Sequence, residues 1–120
     1  MLPESDTYST MNQIVETFID QHIDSFVKWE LVHFFYKNKH TADTATQIAN
    51  ALKRNVRTVN PALRSLARTG VVERIDFDDL SIYTLSEDEI IRKELKVFME
   101  VCEDRFAYLQ ALYYIMQRLR

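Results

Sequence analysis

The sequence predicts a mainly α-helical chain with one small β-hairpin and extra helices at both ends. Three observations predict it. First, the 120 residues include only one glycine and two prolines, too few for the turns of a sheet protein, and Leu, Ala, Glu, Arg and Gln are abundant. Second, apolar residues recur at spacings of three and four along most of the chain. Third, one stretch departs from that spacing: "VVERIDF" and "LSIYTLS" alternate as strands do, and Asp78 or Asp79 must supply any positive φ at a turn that lacks glycine.

Residues 1–8 show no pattern and are expected to be a disordered tail, which leaves 9–120 as a single domain. From 9 to 40 there are two helices. The first carries Met11, Ile14, Val15, Phe18, Ile19 and Ile23, with Ser9 or Thr10 as a cap. The second carries Phe26, Val27, Leu31, Phe34 and Phe35, capped by Asp24 or Ser25. "HTADT" is a loop with Asp43 or Thr44 as the next cap. The segment 44–70 then holds two short helices. Ile48, Ala49 and Leu52 face inward on the first. Val59, Leu63 and Leu66 do so on the second, which Asn55 caps.

Gly70 follows that second helix. The residue past a helix end commonly takes positive φ, which glycine does without steric penalty, so the chain's single glycine marks a reversal into the hairpin at 71–86. From 87 to 120 the chain is helical. Ile91, Leu95, Phe98, Cys102, Leu109, Leu112, Met116 and Leu119 form a seam broken at Arg105. A continuous helix there would reach roughly 50 Å, so it either folds back near residues 102–105 or packs on another subunit.

Net charge is −3, but it is unevenly spread. Residues 1–27 carry five acids and no Lys or Arg, and residues 76–104 carry ten acids against Arg92, Lys93 and Lys96. Between them, residues 44–75 carry Lys53, Arg54, Arg57, Arg64, Arg68 and Arg74 against Glu73 alone. On the helix after Asn55, Arg57, Asn60, Pro61, Arg64 and Arg68 fall opposite the apolar side. Exposed cations at that spacing suit phosphates, and an asparagine suits an adenine edge.

The stretch "TATQIANALKRNVRTVNPALRSLARTGVVERIDFDDLSIYTLS" resembles the core of MarR-, ArsR- and PadR-type transcription regulators. The resemblance rests on Ile48-Ala49, on Thr58-Val59, on Leu63, Leu66, Gly70, Val71 and Val72, and on Tyr83-Thr84-Leu85. It implies a winged helix-turn-helix, with 44–70 as the helix-turn-helix and 71–86 as the wing. It also implies a DNA-binding transcription regulator acting as a homodimer in the cytoplasm. The residues expected to meet double-stranded DNA are Lys53, Arg54, Arg57, Asn60, Arg64 and Arg68, with Arg74 a weaker candidate. Leu109, Leu112, Met116 and Leu119 are expected to dimerise.

Two features depart from the pattern. Pro61 lies inside the recognition helix, where it removes a backbone donor, although PadR-like proteins often carry a similar proline. The wing carries Asp76, Asp78 and Asp79 where a DNA-reading wing carries cations. The alternative function is therefore a winged helix used for protein–protein contact. The same pattern precedes O-methyltransferase domains, but no glycine-rich loop or length for a cofactor domain is present, so that catalysis is not expected.

Other classes find little support. His22, His33, His40 and Cys102 show no metal-ligand spacing. No nucleophile–base–acid set or phosphate-cradling loop appears, so no enzyme and no cofactor are expected. "MLPESDTYST" lacks the basic start and apolar core of a signal peptide, and no apolar run approaches a membrane span. Cys102 is alone and suits a reducing compartment. The aromatic-rich ends leave room for a small apolar effector between helices.

Overall fold

The computed structural model describes residues 3–119, with side chains from Gln13 onward. The elements run α1 (Pro3–His22), α2 (Phe26–Lys37), β1 (Ala42–Thr44), α3 (Ala45–Leu52), α4 (Val56–Thr69), β2 (Val72–Phe77), β3 (Leu80–Leu85), α5 (Glu89–Glu103) and α6 (Arg105–Arg118). Helix α1 extends back to Pro3, through most of the segment expected to be a tail. Proline at a first helical position, with Glu4 and Asp6 close behind, suits a helix start. Residues 1 and 2 of that expected tail lie outside the described residues.

Local chemistry sets most boundaries. Ser25 Oγ accepts from the Lys28 N–H at 3.2 Å and starts α2. Thr44 and Gln47 form a reciprocal capping box that starts α3. Asn55 Oδ1 accepts from Arg57 N–H at 2.8 Å to start α4. The expected loop "HTADT" is corrected in one respect: Ala42–Thr44 is a third strand. It pairs antiparallel with β3, Ala42 opposite Thr84 and Thr44 opposite Ile82, giving the order β1-β3-β2. Backbone donors of three residues leave almost no pattern in a sequence, and only the partner strand makes the element.

The core is continuous. Phe18 and Ile19 of α1 and Ile23 just after it share one core with Leu31, Val32 and Phe35 of α2, Leu63 and Leu66 of α4, and Leu95 and Phe98 of α5, all buried. The Phe98 ring stacks on Phe18 at 4.9 Å and meets Trp29 edge-on at 5.4 Å. The hairpin turns at Asp78-Asp79, and Asp78 has φ +51°, as its short polar side chain allows.

Helices α3 and α4 end alike. Arg54 N–H donates to Ala49 O at 2.9 Å, and Val71 N–H to Leu66 O at 3.0 Å, each pair spanning a left-handed residue. That residue is Lys53 (φ +56°) in one case and Gly70 (φ +94°) in the other. A Cβ at Gly70 would meet nothing within 4 Å, so the requirement there is purely one of backbone conformation. Gly70→Val is expected to destabilise by about 1–3 kcal/mol and Gly70→Asn by less. Denaturant titration checks this, and equal small losses would contradict it.

His22 closes α1 with its ring 4.7 Å from Phe18. The residue is buried, and among the described residues neither ring nitrogen has a hydrogen-bond partner. Burial lowers its pKa from the ordinary 6.5, so the folded state holds it neutral. The unfolded state binds the proton more tightly, and stability falls as pH drops below about 6.5. His33 is lowered as well, again mainly by burial. Melting curves from pH 7.5 to pH 5 should show this decline, and His22→Leu should flatten it. A variant as acid-sensitive as the native chain would remove His22 from the account.

The long C-terminal seam is not one helix. Asp104, with φ −77° and ψ 122°, ends α5 and starts α6. Its Oδ1 accepts from Phe106 N–H at 2.9 Å and Ala107 N–H at 3.1 Å. Helix α6 folds back toward α1. Tyr114 Oη donates to the Asp20 carboxylate at 3.0 Å, and Arg118 pairs with the same carboxylate. The long axis is 58 Å against 31 and 20 Å for the others.

Candidate nucleic-acid interface

Helix α4 buries Val59, Ala62, Leu63 and Leu66. A 100° step then sets Arg57, Pro61, Arg64 and Arg68 within about 60° of one another on the opposite side. All four are exposed. Among the described residues, none of the three arginines forms an ion pair. Pro61 does not break the helix, which runs unbroken from Val56 to Thr69. It sits on the exposed side, where the Arg57 carbonyl that loses its donor can turn to water. Asn60 lies about 60° off the arginine stripe and is half-buried. Lys53 is exposed at the left-handed turn before α4.

Arg54 departs from expectation. Its Nε and Nη2 donate to the two Glu30 carboxylate oxygens at 2.6 and 2.7 Å. The pairing lowers the Glu30 pKa and raises that of Arg54. Arg54 therefore ties the turn to α2 and is not a free cation. A second tether, unread in the sequence, joins Lys28 Nζ of α2 to Ser65 Oγ of α4 at 2.6 Å. Nothing in the local spacing signals either tether, since the partners stand 24 and 37 residues apart.

The hairpin carries little positive charge. Arg74 Nε donates to Asp76 Oδ1 at 3.0 Å, and Ser81 Oγ donates to the same oxygen at 2.7 Å. Ser81 and then Arg74 hold the Asp76 carboxyl below its ordinary range. The tip shows Asp78, Asp79 and the facing pair Phe77 and Leu80, which are 59% and 57% exposed.

On α6, Ala107, Ala111 and Ile115 are buried. Leu109 and Met116 point outward, with Phe106 and Tyr113 on the same exposed side. The exposed row is thus 106, 109, 113 and 116, which shares only Leu109 and Met116 with the set expected to dimerise. Leu112 is half-buried against the core, and Leu119 lies just beyond the helix end. The seam thus divides, with its α5 part (Leu95, Phe98) facing the core and much of its α6 part facing solvent. Burial pushes the Cys102 thiol up to about 12, so it stays protonated. Among the described residues, no three His, Cys, Asp or Glu side chains converge as a metal site, and no helix is long and apolar enough to cross a membrane.

MepR from S. aureus, solved as a mutant bound to an oligodeoxyribonucleotide, superposes on this chain with a TM-score of 0.58 at 19% identity, over 92% of this chain and 84% of that one. The fold is the MarR-like winged helix-turn-helix. Helices α3 and α4 are its helix-turn-helix, and β2–β3 is the wing, widened by β1. The extra terminal helices expected from the sequence are α1, α2, α5 and α6. No protein-family model matches the chain, and no curated protein matches it.

Proposed function

We propose that the chain binds duplex DNA as a homodimer and regulates transcription. The observation that carries this reading is the Arg57–Arg64–Arg68 stripe: three exposed, unpaired guanidinium groups on the recognition helix of an otherwise acidic protein. The fold likeness to a DNA-bound chain supports it. Lys53 adds a phosphate contact at the turn, and Asn60 reaches a base edge from the rim of the stripe. The exposed row of α6 closes on the same row of a second copy. A groove of about 410 Å³ between α1 and α6, lined by Ile19, Phe106, Leu109 and Tyr113, extends that seat. A small apolar effector would have the same groove available.

Titration of labelled duplex at several salt concentrations tests the reading. Binding should weaken steeply with salt, because cations released from the phosphates drive association. Asp78→Asn with Asp79→Asn should strengthen non-specific binding about three- to tenfold by removing repulsion at the wing. No salt-dependent binding of genomic fragments at low salt would end the DNA reading. The exposed Phe77–Leu80 pair at an acidic tip favours the second reading, a wing that meets a protein.

A further inference from the structure

We propose that the outward face of the wing docks a basic amphipathic helix of a partner protein. An antiparallel hairpin on a core needs only one apolar face, and this one has two. Val72, Tyr83 and Leu85 take the inner face and are buried. The strand register turns the alternate residues outward, with Ile75 opposite Ile82 and Phe77 opposite Leu80. Ile75, Phe77 and Leu80 are exposed, and Ile82 is half-buried. None of the four belongs to the core or to the side chains packed on it among the described residues.

Thr44 of β1 stands opposite Ile82 and extends the same row. The outward face is therefore three strands wide, about 10 Å. A helix with its side chains is about 10–12 Å across, and a helix is an ordinary cover for an apolar sheet face. Contiguous apolar residues left open on a small domain mark a place of contact.

Charge selects the occupant. Residues 71–86 carry Glu73, Asp76, Asp78 and Asp79 against Arg74 alone. Arg74 pairs with Asp76, and both alternate with Ile75 and so belong to the inner side. That leaves Glu73 at one end of the outward row and Asp78 and Asp79 at the other. None of these three carboxylates has an ion-pair partner among the described residues. A second copy would set acid against acid, and duplex phosphates would be repelled. Lysines or arginines flanking a row of Leu or Phe side chains would meet both parts of the face. This docking rests on the second reading above, a wing that meets a protein, and gives that protein its chemistry. It leaves α4 free for DNA.

The test is a titration of the full chain with a synthetic leucine–lysine amphipathic peptide of about 18 residues, long enough to form a helix alone, followed by amide chemical shifts. A twin with glutamate in place of lysine is the control. Saturable binding below about 100 μM is expected, with shifts gathered at residues 73–82, and the acidic twin should not saturate. Phe77→Thr with Leu80→Thr should weaken binding about tenfold or more, with circular dichroism unchanged because both side chains lie outside the core. Asp78→Asn with Asp79→Asn should weaken it about threefold, opposite in sign to the effect expected on duplex binding. Arg64→Ala should bind the peptide as the native chain does. No saturation by about 1 mM, or an unchanged affinity in the threonine variant, would overturn the docking. Equal binding of the acidic twin at the wing would overturn the basic partner and leave a wing that meets a protein. A threonine variant that loses duplex affinity about tenfold would give the face to DNA and end the second reading itself. A threonine variant of lower mass than the native chain by light scattering would make the occupant a second copy and overturn the docking as well.

Discussion

Replacing Arg57, Arg64 and Arg68 together with alanine is expected to cost about a thousandfold or more in duplex affinity. Each charged hydrogen bond lost is worth roughly 1.5–3 kcal/mol, and tenfold in affinity is about 1.4 kcal/mol. A dimer presents the stripe twice, so the salt slope should fall by about 0.9 for each phosphate contact removed. The fold should survive, because all three side chains are exposed and form no ion pair among the described residues, and such surface changes alter stability by about 0.5 kcal/mol or less. Fluorescence anisotropy at about 50 to 200 mM salt reads both quantities. Arg64→Lys should keep the salt slope while losing bidentate geometry. A triple variant that binds within a factor of about three of the native chain would take α4 out of the interface.

The second large effect concerns assembly. Leu109→Asp with Met116→Asp should convert a dimer to a monomer. Both side chains lie outside the core, 53% and 57% exposed, so the change should leave the monomer folded while making self-contact bury two charges on each copy. Truncation after Arg105 is a less clean test, because it also strips Ala107, Ala111 and Ile115 from the core. Light scattering should show the mass halved. Duplex affinity should fall about 10²- to 10⁴-fold as linked binding of two half-sites is lost. A native chain already monomeric at micromolar concentration would refute the dimer.

Much of the fold was legible because its determinants are local. Gly70 marked the end of α4, Asn55 and Thr44 marked helix starts, and Asp78 supplied the positive φ of a glycine-free turn. The inward set Val59, Leu63 and Leu66 and the outward set Arg57, Arg64 and Arg68 both follow from a 100° step. What failed depends on distant partners. β1 exists only because β3 lies beside it. Arg54 looked like its basic neighbours until Glu30 came within reach across the fold. The fold-back near residues 102–105, one of two alternatives left open for the seam, falls at Asp104, which is neither glycine nor proline. Its capping carboxylate allows two helices to meet without either.

Asp104 also has a geometric consequence. Helix α6 has 14 residues, so it is a lever about 21 Å long. A 10° swing about the joint would move its far end by about 3.7 Å, close to the 3.4 Å rise of one base pair. In the proposed dimer, the separation of the two recognition helices is read out through that lever. The operator's half-site spacing is then set far from any base contact, by two dihedral angles of one aspartate. A chain of this design could change the DNA it tolerates without altering a single residue that touches it.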